Sequence, residues 1–331
     1  MLKKDKTKPF RVGVATGPTD PEDPTNPTGP TAEDTPKNCE DMLRNCAISK
    51  LKADRTPIPD NRFTLPPEYG VNGSGSSDAF NGHEYVDLGL PSGTLWAKMN
   101  VGAESETDTG LYFAWGETEG YADASTKAFS WSDYKWTEDE GSTMSKYSST
   151  DGKTVLNLED DAANVNMGGD WHMPNRAQCI ELFKETKNGF VTNAGAFTQY
   201  AWDDSNGYSS PTQTTVTIDN WNTAGYFFFK SDVSDMNAAV TSGDYLFIPA
   251  AGGCVGGEVS GVGGGGRVWA SALSSENVES AWYFYFDSGG AGVDYGILYG
   301  RFCGQSVRGV VGQMDEITDE TTPGGGGSSP K

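Results

Sequence analysis

The stretch 281-AWYFYFDSGGAGVDYGILYGRFCGQSVRG-309 decides how the rest of the chain is read. Its first six residues are apolar or aromatic throughout, which by length and composition is a short strand. Trp282, Phe284 and Phe286 fall on one face of that strand, Tyr283 and Tyr285 on the other. The first face is expected to pack and the second to be displayed. Beyond Phe286 neither a helical nor a strand period persists until 305-QSVRGV-310 resumes a strand-like pattern. A run of this kind is either an ordinary Gly-rich loop or a surface whose side chains are free to differ.

Working outward, 225-GYFFFK-230, 244-DYLFIPA-250 and 267-RVWASAL-273 read as strands, and 304-GQSVRGVV-311 closes the set. The stretch 175-NRAQCIELFKETKNG-189 predicts a helix. Asn175 caps it with Gln178 three residues on, Cys179, Ile180, Leu182 and Phe183 form its buried stripe, and Asn188-Gly189 stops it. In 83-HEYVDLGLPSGTLWAKMNVG-102, alternating apolar residues flank Pro91-Ser92-Gly93, the pattern of a β-hairpin with one buried face. Next, 110-GLYFAWGE-117 reads as a buried aromatic strand, and 117–160 as a long polar loop anchored by Trp131, Tyr134 and Trp136. Many short strands, one good helix and long loops make an α+β domain over residues 80–312.

Residues 1–79 read as an extended attachment arm. Pro-, Thr- and acid-rich 18–37 and Pro- and Gly-rich 56–78 are linkers that cannot build a core. Between and before them, 9-PFRVGVA-15 could form a strand by adding to something else, and 38-NCEDMLRNCAISKLK-52 a short helix. Residues 313–331, ending in PGGGGSSPK, read as a flexible tail.

In 331 residues, nine Trp, fourteen Tyr and fifteen Phe can supply core area that the modest 36% apolar content does not. A net charge of −22 argues against nucleic acid as a partner, because phosphate contacts need a basic face. Lys3, Lys4, Lys6, Lys8 and Arg11 against Asp5 make the first residues a basic exception, suited to docking on an acidic partner or simply solvated. No apolar run is long enough to span a membrane, and no apolar segment follows the N-terminal charges as in a signal peptide. The expectation is a protein that stays where it is made, or one whose leader has been trimmed. The five cysteines include no CxxC. Cys39 and Cys46, seven residues apart on the expected helix, would be about 10.5 Å apart along its axis, too far for a disulfide. Free thiols are expected.

Catalytic constellations are not evident. His83 and His172 are the two histidines, and His172, just before the helix, suits loop packing. The acid pairs Glu117 with Glu119 and Asp203 with Asp204 read as solvated carboxylates of an acidic chain rather than as a glycosidase pair. The run 263-GGGG-266 lacks the GK[ST] ending of a phosphate loop. Asp139 to Glu140 and Glu159 to Asp161 could bind Ca2+ opportunistically but lack EF-hand spacing. No cofactor or metal is expected.

Several motifs together resemble the Fibrobacter succinogenes major paralogous domain, which recurs in proteins of gut Bacteroidetes and their phages. They are 85-YVDLGLPSGTLWAKMNVGA-103, 111-LYFAWGE-117, 169-GDWHMPNRAQCIEL-182, 246-LFIPAAG-252, 267-RVWASAL-273, 281-AWYFYF-286 and 305-QSVRGV-310, in order over residues 80–312. The resemblance implies a C-type-lectin-like fold related to formylglycine-generating enzymes, used by non-catalytic members as a binding module. The oxidase's paired cysteines have no convincing counterpart in Cys254 and Cys303, and the EPN, QPD and WND sugar motifs of animal C-type lectins are absent. Gly309 stands where related sequences usually have Pro.

A subset of this fold carries the variable proteins of diversity-generating retroelements, in which adenine-directed mutagenesis rewrites Asn codons. Apart from Ala291, every residue of 290-GAGVDYGILYGRFC-303 can arise that way. The implied ligand-binding face is Tyr283, Tyr285, Asp287, Asp294, Tyr295, Ile297, Leu298, Tyr299, Arg301 and Phe302. The implied setting is a bacteriophage virion, in which residues 1–52 dock on other virion proteins, the chain forms a homodimer or homotrimer, and the face binds a host-surface glycan or protein. The alternatives are a bacterial surface adhesin or lipoprotein whose export signal is removed, and a carbohydrate-active enzyme.

Overall fold

In the computed structural model of the protein, the described residues are 79–312 apart from 139, 140, 142, 149, 150, 275 and 295–299. The expected strand over 9–15, the helix over 38–52, the docking arm 1–52, Cys39, Cys46 and the tail 313–331 lie outside them, as do Asp139 and Glu140.

The described chain is mixed α+β and mostly strand. Strands β1 (Ala79–Phe80), β2 (His83–Val86), β3 (Leu95–Ala97) and β4 (Tyr112–Phe113) come first. Helices α1 (Ala162–Met167) and α2 (Arg176–Lys184) follow a long connection. Next are β5 (Thr186–Val191), β6 (Ala196–Asp203), β7 (Tyr208–Thr217), β8 (Gly225–Lys230), helix α3 (Met236–Ser242) and β9 (Leu246–Pro249). The last strands are β10 (Ala251–Val255), β11 (Glu258–Val262), β12 (Gly265–Leu273), β13 (Ala281–Asp287), β14 (Ala291–Asp294), β15 (Gln305–Ser306) and β16 (Val310–Val311).

The expected N-terminal hairpin pairs, with Tyr85 opposite Ala97 and Val86 opposite Trp96, but it buries both faces rather than one: Val86 and Trp96 enter one core and Ala97 another. It belongs to a four-stranded sheet in the order β1-β2-β3-β16, in which the C-terminal strand β16 pairs with β3 of the hairpin. The larger sheet runs β11-β10-β12-β13-β14-β7-β6-β5-β8-β9, with β15 pairing β12 and β4. Strands β9 and β10 sit near opposite ends of that path, yet a single residue, Ala250, separates them in sequence. The sheet therefore curls round until its ends meet, and most of its strands bury both faces.

That curl explains the uninterrupted aromatic runs. In β8, Tyr226 and Phe228 join a central core with Trp96, Leu182, Phe183, Trp282, Phe284 and Phe286. Phe227 and Phe229 join a second core with Phe197, Tyr245 and Phe247 on the opposite face. A strand buried on both faces has no polar alternation to show.

Helix α2 has the expected capping box: Gln178 N–H donates to Asn175 Oδ1 at 2.8 Å, and Asn175 N–H to Gln178 Oε1 at 2.9 Å. Cys179, Leu182 and Phe183 are buried, while Ile180 is half-buried. The helix ends at Lys184, before the expected Asn188-Gly189 stop, and both of those residues lie inside β5. Gly189 serves a close approach of strands instead, since a Cβ there would stand 2.1 Å from Thr198 O.

The absence of a side chain at Gly309 also has a packing reason. A Cβ there would meet Met167 Sδ at 2.6 Å and Trp171 Cε3 at 3.1 Å. Its carbonyl receives Ala97 N–H at 2.8 Å, holding it against β3. Gly309→Ala is expected to overpack this junction and cost about 1–3 kcal/mol, read as a fall in the urea midpoint. Adding Met167→Ala should return part of that loss, because the flexible thioether is the nearest obstacle.

Candidate ligand-binding face

Strand β13 fixes where the expected face can be. Trp282, Phe284 and Phe286 pack inward as expected. The opposite side of the strand is not open along its length: Tyr283 is 3% exposed and packs with Trp269, Trp115 and Val307 in a further core. Tyr283 is thus corrected from a displayed residue to a core residue, because the curled sheet brings 113–115 and 303–307 over it. Tyr285 is half-buried against the edge of the same core.

A row of residues sharing one face crosses four strands at Tyr285. Arg267 of β12 lies opposite Tyr285, Tyr285 opposite Gly292 of β14, and Gly292 opposite Tyr208 of β7. Gly290 and Gly292 leave room for the Tyr208 ring to lie across β14; a Cβ on Gly290 would fall 1.4 Å from Tyr208 Oη. The Tyr208 and Tyr285 rings are then 6.3 Å apart. Burial, together with the nearby Tyr208, Asp294 and Asp287, pushes the Tyr285 hydroxyl pKa above its ordinary value, so it stays a neutral donor and acceptor.

Asp287 is exposed and its Oδ1 accepts Gly289 N–H at 2.7 Å and Gly290 N–H at 3.0 Å, which shapes the turn into β14. Asp294, half-buried, stands opposite Tyr283. Phe302 is half-buried with its ring 4.6 Å from that of Trp131. Tyr295, Ile297, Leu298 and Tyr299 lie outside the described residues.

Arg301 is corrected from a surface residue to an interior one. It has no solvent exposure, and its guanidinium donates to Tyr134 Oη, Tyr147 O, Val278 O and Lys146 O at 2.9–3.0 Å. Its charge also sits 4.9 Å from the Trp115 ring centroid. The long 117–160 connection is thereby tied to the C-terminal segment. Arg267 and Tyr208 escaped the sequence reading because neither falls in the irregular run; cross-strand register alone brings them to Tyr285.

The other candidate groups are accounted for by structure. Glu117 is buried in an ion pair with Lys127 at 2.9 Å, whereas Glu119 is exposed. Asp203 accepts from the Ser205 N–H and hydroxyl in the β6–β7 turn, and Asp204 pairs with Lys184. Both ring nitrogens of His172 meet backbone carbonyls, of Met173 and Gly312. The described residues include no cluster of three His, Cys, Asp or Glu able to hold a metal ion, and no helix long and apolar enough to cross a membrane. Cys179, Cys254 and Cys303 are buried, and burial pushes the Cys254 and Cys303 thiols up to about 12.

No protein family, no curated protein and no solved structure matches the chain.

Two outcomes follow from this geometry. Arg301→Met leaves three backbone carbonyls without these donors and should cost about 1–3 kcal/mol for each one left unmet, measured by chemical denaturation. Because burial keeps their thiols protonated and out of reach, Cys254 and Cys303 should resist iodoacetamide at pH 8 in the folded protein and react after unfolding, as mapped by peptide mass spectrometry.

Proposed function

We propose that this domain is a non-catalytic binding module with a C-type-lectin-like fold, related to the Fibrobacter succinogenes major paralogous domain and displayed on a bacteriophage virion. It binds a glycan or protein of the host cell surface, works as a homodimer or homotrimer, and attaches to other virion proteins through residues 1–52. Short strands, a single well-capped nine-residue helix and long connections support the fold reading.

The observation that carries the function is the Tyr208–Tyr285–Arg267 row on a sheet face, with Asp287 and Asp294 alongside. Tyr and Arg provide large contact area with polar ends at small entropic cost, the composition found where binding energy concentrates. Beneath the row lie aromatic cores, so little ordering is needed when a ligand docks. Weak single-site affinity is raised by display in several copies.

The retroelement reading is narrower in this form. Gly290, Ala291, Arg301 and Cys303 are held by packing or hydrogen bonds. Among the described residues, the positions proposed for diversification are Tyr285, Asp287, Asp294 and Phe302.

The test is adhesion of fluorescently labelled protein to a panel of Bacteroidetes strains by flow cytometry. Tyr285→Ala should reduce adhesion about tenfold or more, the size expected of an anchor residue, with little change in melting temperature. Undiminished adhesion of this variant removes the face from the reading.

A further inference from the structure

Strand β7 is paired unequally on its two sides. Strand β6 runs along it from Tyr208 to Thr217, whereas β14 reaches only Tyr208 and Ser209. From Ser210 onward, no strand lies on that second edge among the described residues. Gln213 to Thr217 are all exposed, so neither face of this part of the strand is covered.

Hydrogen bonds identify the backbone groups that look out from the open edge. Ile218 N–H donates to Gly195 O at 2.8 Å, on the β6 side. Thr214 N–H turns to the same side, where it donates to the Thr212 hydroxyl, which in turn donates to Gln199 O at 2.9 Å. That hydroxyl bridges the register shift opposite Gln199, and β7 continues unbroken to Thr217. Successive residues of a strand direct their N–H and C=O groups to opposite sides, so Gln213, Thr215 and Thr217 direct theirs to the open edge. Thr217 O already accepts from Asn237 of α3 at 2.9 Å, and Pro211 has no N–H to offer. The open groups are those of Gln213 and Thr215.

We propose that this edge joins two copies of the chain, with β7 paired antiparallel to the partner's β7 about a two-fold axis at Thr214; this rests on the homo-oligomer of the reading above and selects the dimer. Gln213 then stands opposite the partner's Thr215 and exchanges both backbone bonds with it, and the axis repeats the pair. Thr214 meets the partner's Thr214 in the close, non-hydrogen-bonded pair between them. Pro211 and Thr217, each three residues from the axis, end the ladder on both sides.

Charge selects a second copy as the occupant. The chain carries −22, yet Ser209 to Ile218 contains no charged residue, with Asp203 and Asp204 before it and Asp219 after it. Two acidic copies repel over most of their surfaces and can approach along this uncharged strip. Past Pro211 the edge has no lysine or other charge to guard it. Thr212 lies opposite the partner's Val216, a β-branched pair that favours the register. Because Tyr208 begins the same strand, the dimer places two Tyr208–Tyr285 rows on one continuous sheet, which supplies the multivalency of the binding reading.

The experiment is sedimentation equilibrium of the full chain. So short a pairing buries less than the roughly 1,200 Å² of a standard interface, so the mass should rise from one chain to two between about 1 and about 100 μM. Thr214→Lys sets two ammonium groups opposite each other and should weaken the dimer about tenfold or more, with the melting temperature of the dilute protein unchanged. Thr214→Cys should form, under mild oxidation, a disulfide joining position 214 of the two copies, found by peptide mass spectrometry; Ser231→Cys, exposed elsewhere, should form no such link. If Thr214→Lys fails to fold, the cysteine variant decides alone. A folded Thr214→Lys that dimerises like wild type, or Thr214→Cys that gives no link at position 214, removes the edge and leaves the homo-oligomer standing. A wild-type trimer does the same, because a two-fold pairing closes at two. A wild-type protein that is monomeric throughout overturns both the edge and the homo-oligomer, while the adhesion test of Tyr285 still judges the binding face.

Discussion

Arg308 carries a guanidinium into a position with no solvent exposure, where Asn100 Oδ1, Ala97 O and Phe247 O receive its N–H groups at 2.9–3.0 Å. Burial pulls its pKa below the usual value for arginine. Seven residues earlier Arg301 repeats the arrangement with the carbonyls of Lys146, Tyr147 and Val278. A buried charge is tolerable only where oxygen atoms already stand in fixed places around it. Each arginine therefore demands that distant parts of the chain be in register: the N-terminal hairpin and β9 for Arg308, the long connection for Arg301. Backbone bonds reinforce the demand, with Val101 N–H on Val307 O and Trp115 N–H on Arg301 O. The C-terminal segment acts as a keel on which the rest of the domain is assembled.

The keel and the binding face adjoin each other, and that sets how much the face can vary. Tyr283 and Cys303 pack in the same core as Trp269, so a change at either disturbs the sheet under Tyr285. Tyr285, Asp287 and Asp294 touch that core less and can be exchanged at lower cost. A surface built this way keeps a rigid floor and changes only its outermost atoms, which limits the entropy lost on binding.

Much of the fold was legible. The hairpin at 83–102, the capped helix beginning at Arg176 and the aromatic strands at 225–230, 267–273 and 281–286 have local signatures, namely alternation, a capping box and β-favouring composition. Strands β6 and β7 were not legible. Strand β7 is rich in Thr and Ser and largely exposed, and β6 buries Phe197 and Tyr200 three residues apart, so neither carries a clear strand period. The β10–β11 hairpin was hidden by its glycines, which read as loop until a sheet edge is there to pair with.

The candidate face divides along the same line. Residue type and local period determine that 281–286 is a strand with its even-numbered aromatics packed, because those are properties of neighbours in sequence. Whether the odd-numbered side faces water depends on what the curled sheet brings over it, and there the tertiary structure decided: Tyr283 and Arg301 inside, Tyr285 at the boundary. It also brought Arg267 and Tyr208 to Tyr285, since cross-strand register and burial arise from contacts between residues far apart in the chain.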